Sequence, residues 1–85
     1  MRESKIESRY KKVTSGKFYK FISPGVRGVP DRIVLNYIPE DMRKIVSRYI
    51  FFIEFKAPGK KPNTRQAREI QSIRDLGFLV EVIDG

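Results

Sequence analysis

Hydrophobic positions along the chain recur with two periods, one typical of helices and the other of strands. Near the start, Ile6, Tyr10 and Val13 share one face of a predicted helix. Later apolar runs are short and rich in aromatic and β-branched residues, which is typical of strands. In chain order the pattern predicts a helix over 3–14, strands over 17–22 and 32–38, a short helix over 40–47, a strand over 49–56, a helix over 65–76 and a strand over 78–83.

Proline and glycine mark the boundaries between these elements. Segments 23–30 and 57–63 are rich in both residues and predict loops. Thr64 is the predicted N-cap of the helix that follows, and Gly77 is predicted to end it in a left-handed conformation. The order α-β-β-(α)-β-α-β predicts a single α/β domain over residues 1–85, a mixed β-sheet flanked by helices.

Composition removes several classes of catalytic site. The 85 residues include no cysteine and no histidine, which excludes thiolate metal sites and histidine-dependent nuclease chemistry. The net charge of +8 favours a polyanionic partner, most simply nucleic acid. No apolar run approaches the roughly 20 residues that span a bilayer, and the start resembles no signal peptide. We therefore expect a cytoplasmic protein without a membrane partner.

The strand over 49–56 ends in an unusual pair of charges. Because side chains alternate along a strand, Glu54 and Lys56 share a face with Ile50 and Phe52, so that face is apolar at one end and charged at the other. An exposed ion pair at the end of an edge strand would also give this pattern.

A second carboxylate changes the chemistry that this pair can support. Asp31 begins the preceding strand, and carboxylates at the ends of neighbouring strands can converge on one edge of a sheet. Oxygen ligands of this kind suit Mg²⁺ or Mn²⁺, and a nearby lysine can hold the attacking water and offset charge at a phosphate. The alternative for Asp31 is a carboxylate that only caps its turn.

These residues lie within a longer recognisable pattern. Pro30-Asp31 with Glu54-Phe55-Lys56 resembles the PD-(D/E)xK nuclease core, and segments 23–31, 52–59 and 76–80 together resemble the VRR-NUC domain in its stand-alone, phage-type form. The resemblance covers nearly the whole chain, and the stretch 36–48 is longer than the turn usual in that family. It implies an intracellular protein of a phage or bacterial host.

The resemblance also implies roles for individual residues. Asp31, Glu54 and the Phe55 carbonyl would bind the metal, Lys56 would be the catalytic lysine, and Gln66 would support the site. Gln66 lies on the inward face of its predicted helix, where a polar side chain usually has a partner, although a partly exposed glutamine at a helix start is the alternative.

The family also carries an acidic residue on its first helix. Glu3 lies nearer the apolar stripe than Glu7, so Glu3 is the preferred candidate and Glu7 the alternative.

Basic residues around these positions are expected to contact DNA phosphates without reading sequence. They are Lys11, Lys12, Lys17, Lys20, Arg27, Lys60, Lys61, Arg65 and Arg68. Lys5 and Arg43 are instead expected to be solvated side chains.

Together these observations predict a Mg²⁺- or Mn²⁺-dependent endonuclease with no small-molecule cofactor. By resemblance its substrate is branched double-stranded DNA, most specifically the four-way (Holliday) junction. Two symmetric cuts need two active sites, so a homodimer is expected, with Tyr37, Ile38, Met42 and Tyr49 as interface candidates. The alternatives are a non-catalytic nucleic-acid-binding module and a flap or single-strand nuclease that uses the same site.

Overall fold

The structure is a computed structural model that describes residues 5–6, 8–9, 16–21 and 25–85. It divides into two compact units, one ending at Asn36 and the other running from Tyr37 to Gly85. Among the described residues there are helices, an antiparallel strand pair and a parallel strand pair, which confirms the α/β class. Single-domain organisation stays a prediction.

The first unit contains an antiparallel strand pair. Strand β1 (Lys17–Lys20) pairs with β2 (Arg32–Leu35), and the Phe21 amide extends the pairing by donating to the Asp31 carbonyl at 2.8 Å. Gly16 precedes β1 directly beneath the Leu35 carbonyl, where any Cβ atom would clash with the backbone. The predicted helix over 3–14 lies largely outside the described residues, although positions 5, 6, 8 and 9 are helical.

The second unit opens with a short helical segment. A 3₁₀ turn (Glu40–Met42) leads into helix α1 (Arg43–Val46), which confirms the predicted short helix. Arg43 fixes this segment, since its Nε donates to the Ile38 carbonyl at 2.9 Å and its guanidinium lies over the Tyr37 ring. A cation over an aromatic face adds to that hydrogen bond.

The rest of the second unit is a strand–helix–strand arrangement. Strand β3 (Phe52–Lys56) pairs in parallel with β4 (Val80–Asp84), and helix α2 (Thr64–Asp75) makes the connection that parallel pairing requires. Gly77 ends the helix with φ of 105°, as predicted.

The predicted boundaries of β1, β2 and β3 are wrong, in two cases because a backbone amide has another acceptor. The strand over 49–56 begins at Phe52, because the Tyr49 and Ile50 amides still donate to the Val46 carbonyl and continue the helical turn. The strand over 32–38 ends at Leu35, because the Ile38 amide donates to the Leu76 carbonyl. The strand over 17–22 is regular only to Lys20.

The last strand is also more exposed than its apolar sequence indicates. It begins at Val80 rather than at residue 78, and Val80 is its only buried position. The buried apolar side chains of the described residues are Leu35, Ile38 and Val80, and none of them is completely excluded from solvent. No helix in the described part of the chain is long and apolar enough to cross a membrane.

Candidate active site

Strand β3 presents two faces of different character. Phe52, Glu54 and Lys56 are half-buried, whereas the alternate side chains Ile53 and Phe55 are exposed. The Phe52 ring packs edge-to-face on Phe78, with centroids 5.9 Å apart. The half-buried face is therefore apolar at one end and charged at the other, as the alternation predicted.

The charged end of this face is an ion pair. Lys56 Nζ lies 3.2 Å from Glu54 Oε1, and the Lys56 side chain is only 19% exposed. The Lys56 side chain is thus partly buried, whereas the Glu54 side chain is 38% exposed, so the pair is partly buried as a whole. Screening by solvent weakens such a pair less than it weakens a surface pair.

Gln66 is the second partner of the lysine. Lys56 Nζ donates to Gln66 Oε1 at 2.7 Å, so the strand residue and the helix residue are in direct contact. This hydrogen bond uses one of the three N–H groups of a protonated amine, and the ion pair with Glu54 involves the same nitrogen. The expectation that Gln66 would have a polar partner is confirmed, and that partner is the lysine of the motif.

The start of α2 explains why Gln66 is held in place. The Gln66 amide donates to Asn63 Oδ1 at 2.8 Å, and the Asn63 amide donates to Gln66 Oε1 at 3.1 Å. This reciprocal arrangement is a capping box, with Asn63 as the N-cap. The prediction of Thr64 as the N-cap is wrong by one residue, because the asparagine oxygen reaches the third amide of the helix.

Asp31 lies in the first unit, at the start of β2, and is exposed. Its backbone carbonyl accepts from the Phe21 amide and from Arg32 Nη1. Its carboxylate accepts no hydrogen bond from the described residues, and the turn-capping alternative stays open beside the metal-ligand prediction. Its convergence with Glu54 stays a prediction.

The donor chemistry suits a hard cation. Glu54 and the Phe55 carbonyl offer only oxygen, and the whole sequence lacks histidine and cysteine. No group of three or more acidic residues within the described ranges forms a metal cluster. The oxygen donors of Glu54 and the Phe55 carbonyl fit Mg²⁺ or Mn²⁺ by type, and their role as metal ligands stays a prediction.

Comparison with known proteins identifies the family. The chain is 42% identical over 88 aligned residues to a protein of Acyrthosiphon pisum secondary endosymbiont phage 1 named "Putative nuclease p44", and the alignment covers 99% of this chain and 84% of the phage protein. The chain belongs to the family of that phage nuclease. No protein-family model and no solved structure matches it.

The remaining residues predicted for this nuclease-family chain divide into two groups. Glu3, Glu7, Lys11 and Lys12 lie outside the described residues. The predicted DNA-binding residues that the structure describes lie on β1, in both loops and on α2: Lys17, Lys20, Arg27, Lys60, Lys61, Arg65 and Arg68. Lys17 is half-buried, and the other six are exposed. Their contact with DNA stays a prediction.

Sequence reasoning missed two polar residues near the lysine. Asn63 holds Gln66, and the asparagine three positions before a glutamine was the signal that could have found it. Asp84 is the register partner of Lys56 on the neighbouring parallel strand. No residue pattern within β4 alone indicates that neighbour, because the register depends on the whole β3–α2–β4 connection.

Proposed function

We propose that this chain is a metal-dependent endonuclease of the VRR-NUC type that cuts branched double-stranded DNA, with the four-way junction as its substrate. One observation carries the proposal: the Lys56 side chain is partly buried, and its amine is held by Glu54 and Gln66 at the end of the motif strand. A lysine that only contributed to solubility would have no need of two side-chain partners. The relationship to a phage nuclease supports the same chemistry.

The lysine has a clear task in phosphodiester hydrolysis. Water attacks phosphorus and releases a proton to solvent as the new P–O bond forms, and negative charge accumulates on the non-bridging oxygens. The bond to the leaving sugar oxygen then breaks as that oxygen takes a proton from solvent. An N–H of the Lys56 amine that is not bonded to Gln66 donates to a phosphate oxygen or to the attacking water. Because Gln66 and Glu54 fix the amine beforehand, little reorganisation is needed during the reaction.

Glu54, the Phe55 carbonyl and Asp31 would hold the cation, with Glu3 or Glu7 as a further acidic residue. A bound Mg²⁺ or Mn²⁺ polarises phosphate oxygens and makes water a better nucleophile at neutral pH. No other cofactor is needed. Basic residues of the loops and of α2 would bind flanking phosphates, and such contacts position DNA without reading its sequence.

Symmetric cutting of a junction requires two copies of the site, so the active form would be a homodimer in the cytoplasm of a phage or bacterial host. Tyr37, Met42 and Tyr49 are 62%, 44% and 81% exposed and remain interface candidates. Ile38 is removed from that set, because it is 8% exposed and already packed within the chain. Tyr49→Glu is expected to give a monomer by light scattering, and an unchanged dimer would exclude this surface.

The decisive experiment compares end-labelled four-way junction, flap, linear duplex and single strand of matched sequence. Each is incubated with Mg²⁺, Mn²⁺ or EDTA, and with wild type or Lys56→Ala. We expect paired, symmetric nicks in the junction that need metal and Lys56. Cleavage of flaps or single strands alone would support the same active site but show that the four-way junction is not the substrate. Gel shifts without cutting in either metal would indicate a binding module.

A further inference from the structure

We propose that Asn63 is a positioning residue for the catalytic lysine and acts through Gln66. The inference rests on the proposed function, because it takes Lys56 as catalytic.

The geometry of one oxygen atom carries the inference. Gln66 Oε1 accepts the Asn63 amide at 3.1 Å and Lys56 Nζ at 2.7 Å. A carbonyl oxygen has two lone pairs, so both acceptor sites of this atom are occupied. The contact that closes the capping box and the contact that holds the lysine are thus made by the same atom.

A glutamine side chain has three rotatable bonds, and alone it would hold the lysine poorly. Here the second contact on the same residue, from the Gln66 amide to Asn63 Oδ1 at 2.8 Å, fixes the backbone from which that side chain extends. Removal of the Asn63 side chain frees the first turn of α2 and lets the Gln66 oxygen move. The Lys56 amine then loses the partner that aims it, while Glu54 remains on the same strand.

The alternative is that Asn63 acts only as the N-cap of α2 and has no effect on Lys56. Asn63→Ala removes the cap, whereas Asn63→Ser supplies another oxygen of nearly equal capping strength. Gln71→Gly provides the matched control, because it destabilises the same helix two turns away from the capping box, where Gln71 contacts Asp75. A purely structural role predicts that Asn63→Ala and Gln71→Gly behave alike.

Two measurements test the inference. The first is a short pulse of acetic anhydride followed by mass spectrometry, in which Lys56 acetylation is compared with that of exposed Lys60 and Lys61 in the same molecule. We expect Lys56 to react about five- to tenfold faster in Asn63→Ala, and at the wild-type rate in Asn63→Ser and Gln71→Gly. Wild-type reactivity of Lys56 in Asn63→Ala would overturn the inference.

The second measurement is steady-state cleavage of the junction. We expect kcat to fall about tenfold in Asn63→Ala with KM unchanged, and to recover in Asn63→Ser. Equal losses in Asn63→Ala and Gln71→Gly would reduce Asn63 to a helix cap. The acetylation measurement does not depend on catalysis. A protein that cuts no DNA would refute the proposed function, but the acetylation rates would still test whether Asn63 positions Lys56 through Gln66.

Discussion

Glu54 and Lys56 extend from the same face of one strand, with their charged atoms 3.2 Å apart. In this pair the carboxylate is expected both to bind the cation and to hold the lysine. Glu54→Gln keeps the shape of the side chain but removes its charge. We expect single-turnover cleavage to fall at least about 100-fold and Mn²⁺ binding, measured by calorimetry, to weaken. Glu81→Gln, an exposed position on β4, is the matched control, and a similar loss there would contradict the assignment.

The lysine can be tested by a change that removes its charge. Lys56→Gln keeps a polar side chain, one atom shorter than that of lysine, but carries no charge to offset that of the phosphate. We expect cleavage to fall by about 10²- to 10⁴-fold and the Kd for DNA, measured by fluorescence anisotropy in Ca²⁺, to change little. Lys44→Gln, at an exposed position on α1, controls for loss of a positive charge. Retained cleavage in Lys56→Gln would remove Lys56 from the mechanism.

Asp31 offers an independent test of the predicted metal site. If it is a metal ligand, Asp31→Asn loses metal affinity and cleavage together, and raised Mn²⁺ restores part of the rate. We expect a drop of at least about 100-fold at low Mn²⁺. Asp75→Asn, an exposed change on α2, should leave both quantities unchanged. Normal Mn²⁺ affinity in Asp31→Asn would place the carboxylate outside the metal site.

Lys60 and Lys61, in the loop before α2, are expected to increase the dependence of DNA affinity on salt concentration. Each phosphate contact contributes about one unit to the slope of log K against log salt concentration. Lys60→Gln with Lys61→Gln is therefore expected to lower the slope by about two units and to weaken binding to every DNA sequence alike. Lys5→Gln, also exposed, is the control. An unchanged slope in the double variant would exclude phosphate contacts there.

Gly77 gives a prediction about stability alone. Its φ of 105° disfavours any side chain, and a Cβ there would also press on the Arg43 side chain. Gly77→Ala is expected to lower the free energy of unfolding in urea by about 1–2 kcal/mol. Gly59→Ala isolates the backbone term, because Gly59 also has a positive φ but nothing lies within 4 Å of its Cβ position. Equal losses in the two variants would exclude the Arg43 contact as a contributor.

The features of the site that a local sequence pattern determines were predictable from the sequence. Alternation along a strand was enough to place Glu54 and Lys56 on one face, and the helical spacing of Gln66 relative to Ile70 was enough to require a polar partner for it. The left-handed end at Gly77 follows from the lack of a Cβ in glycine. These features depend on residues only a few positions apart.

Other features depend on competition between neighbouring elements. Tyr49 and Ile50 have strand-forming side chains, yet their amides prefer the carbonyl of Val46 and extend the preceding turn. Thr64 and Asn63 are both good N-caps, and only the choice of acceptor for the Gln66 amide separates them. Side-chain type alone does not predict which hydrogen bond forms in these two cases, because the same residues are compatible with either arrangement.

The contact between Lys56 and Gln66 spans only ten positions of the chain. Its formation closes a short loop, and the entropic cost of loop closure grows only with the logarithm of loop length. Contacts of such low sequence separation also form early and quickly in folding. The segment from β3 through the first turn of α2 therefore carries the lysine, its acceptor and the cap of that acceptor as one contiguous unit. Recombination or domain fusion can transfer that unit whole, whereas Asp31, the other predicted metal ligand, lies outside it.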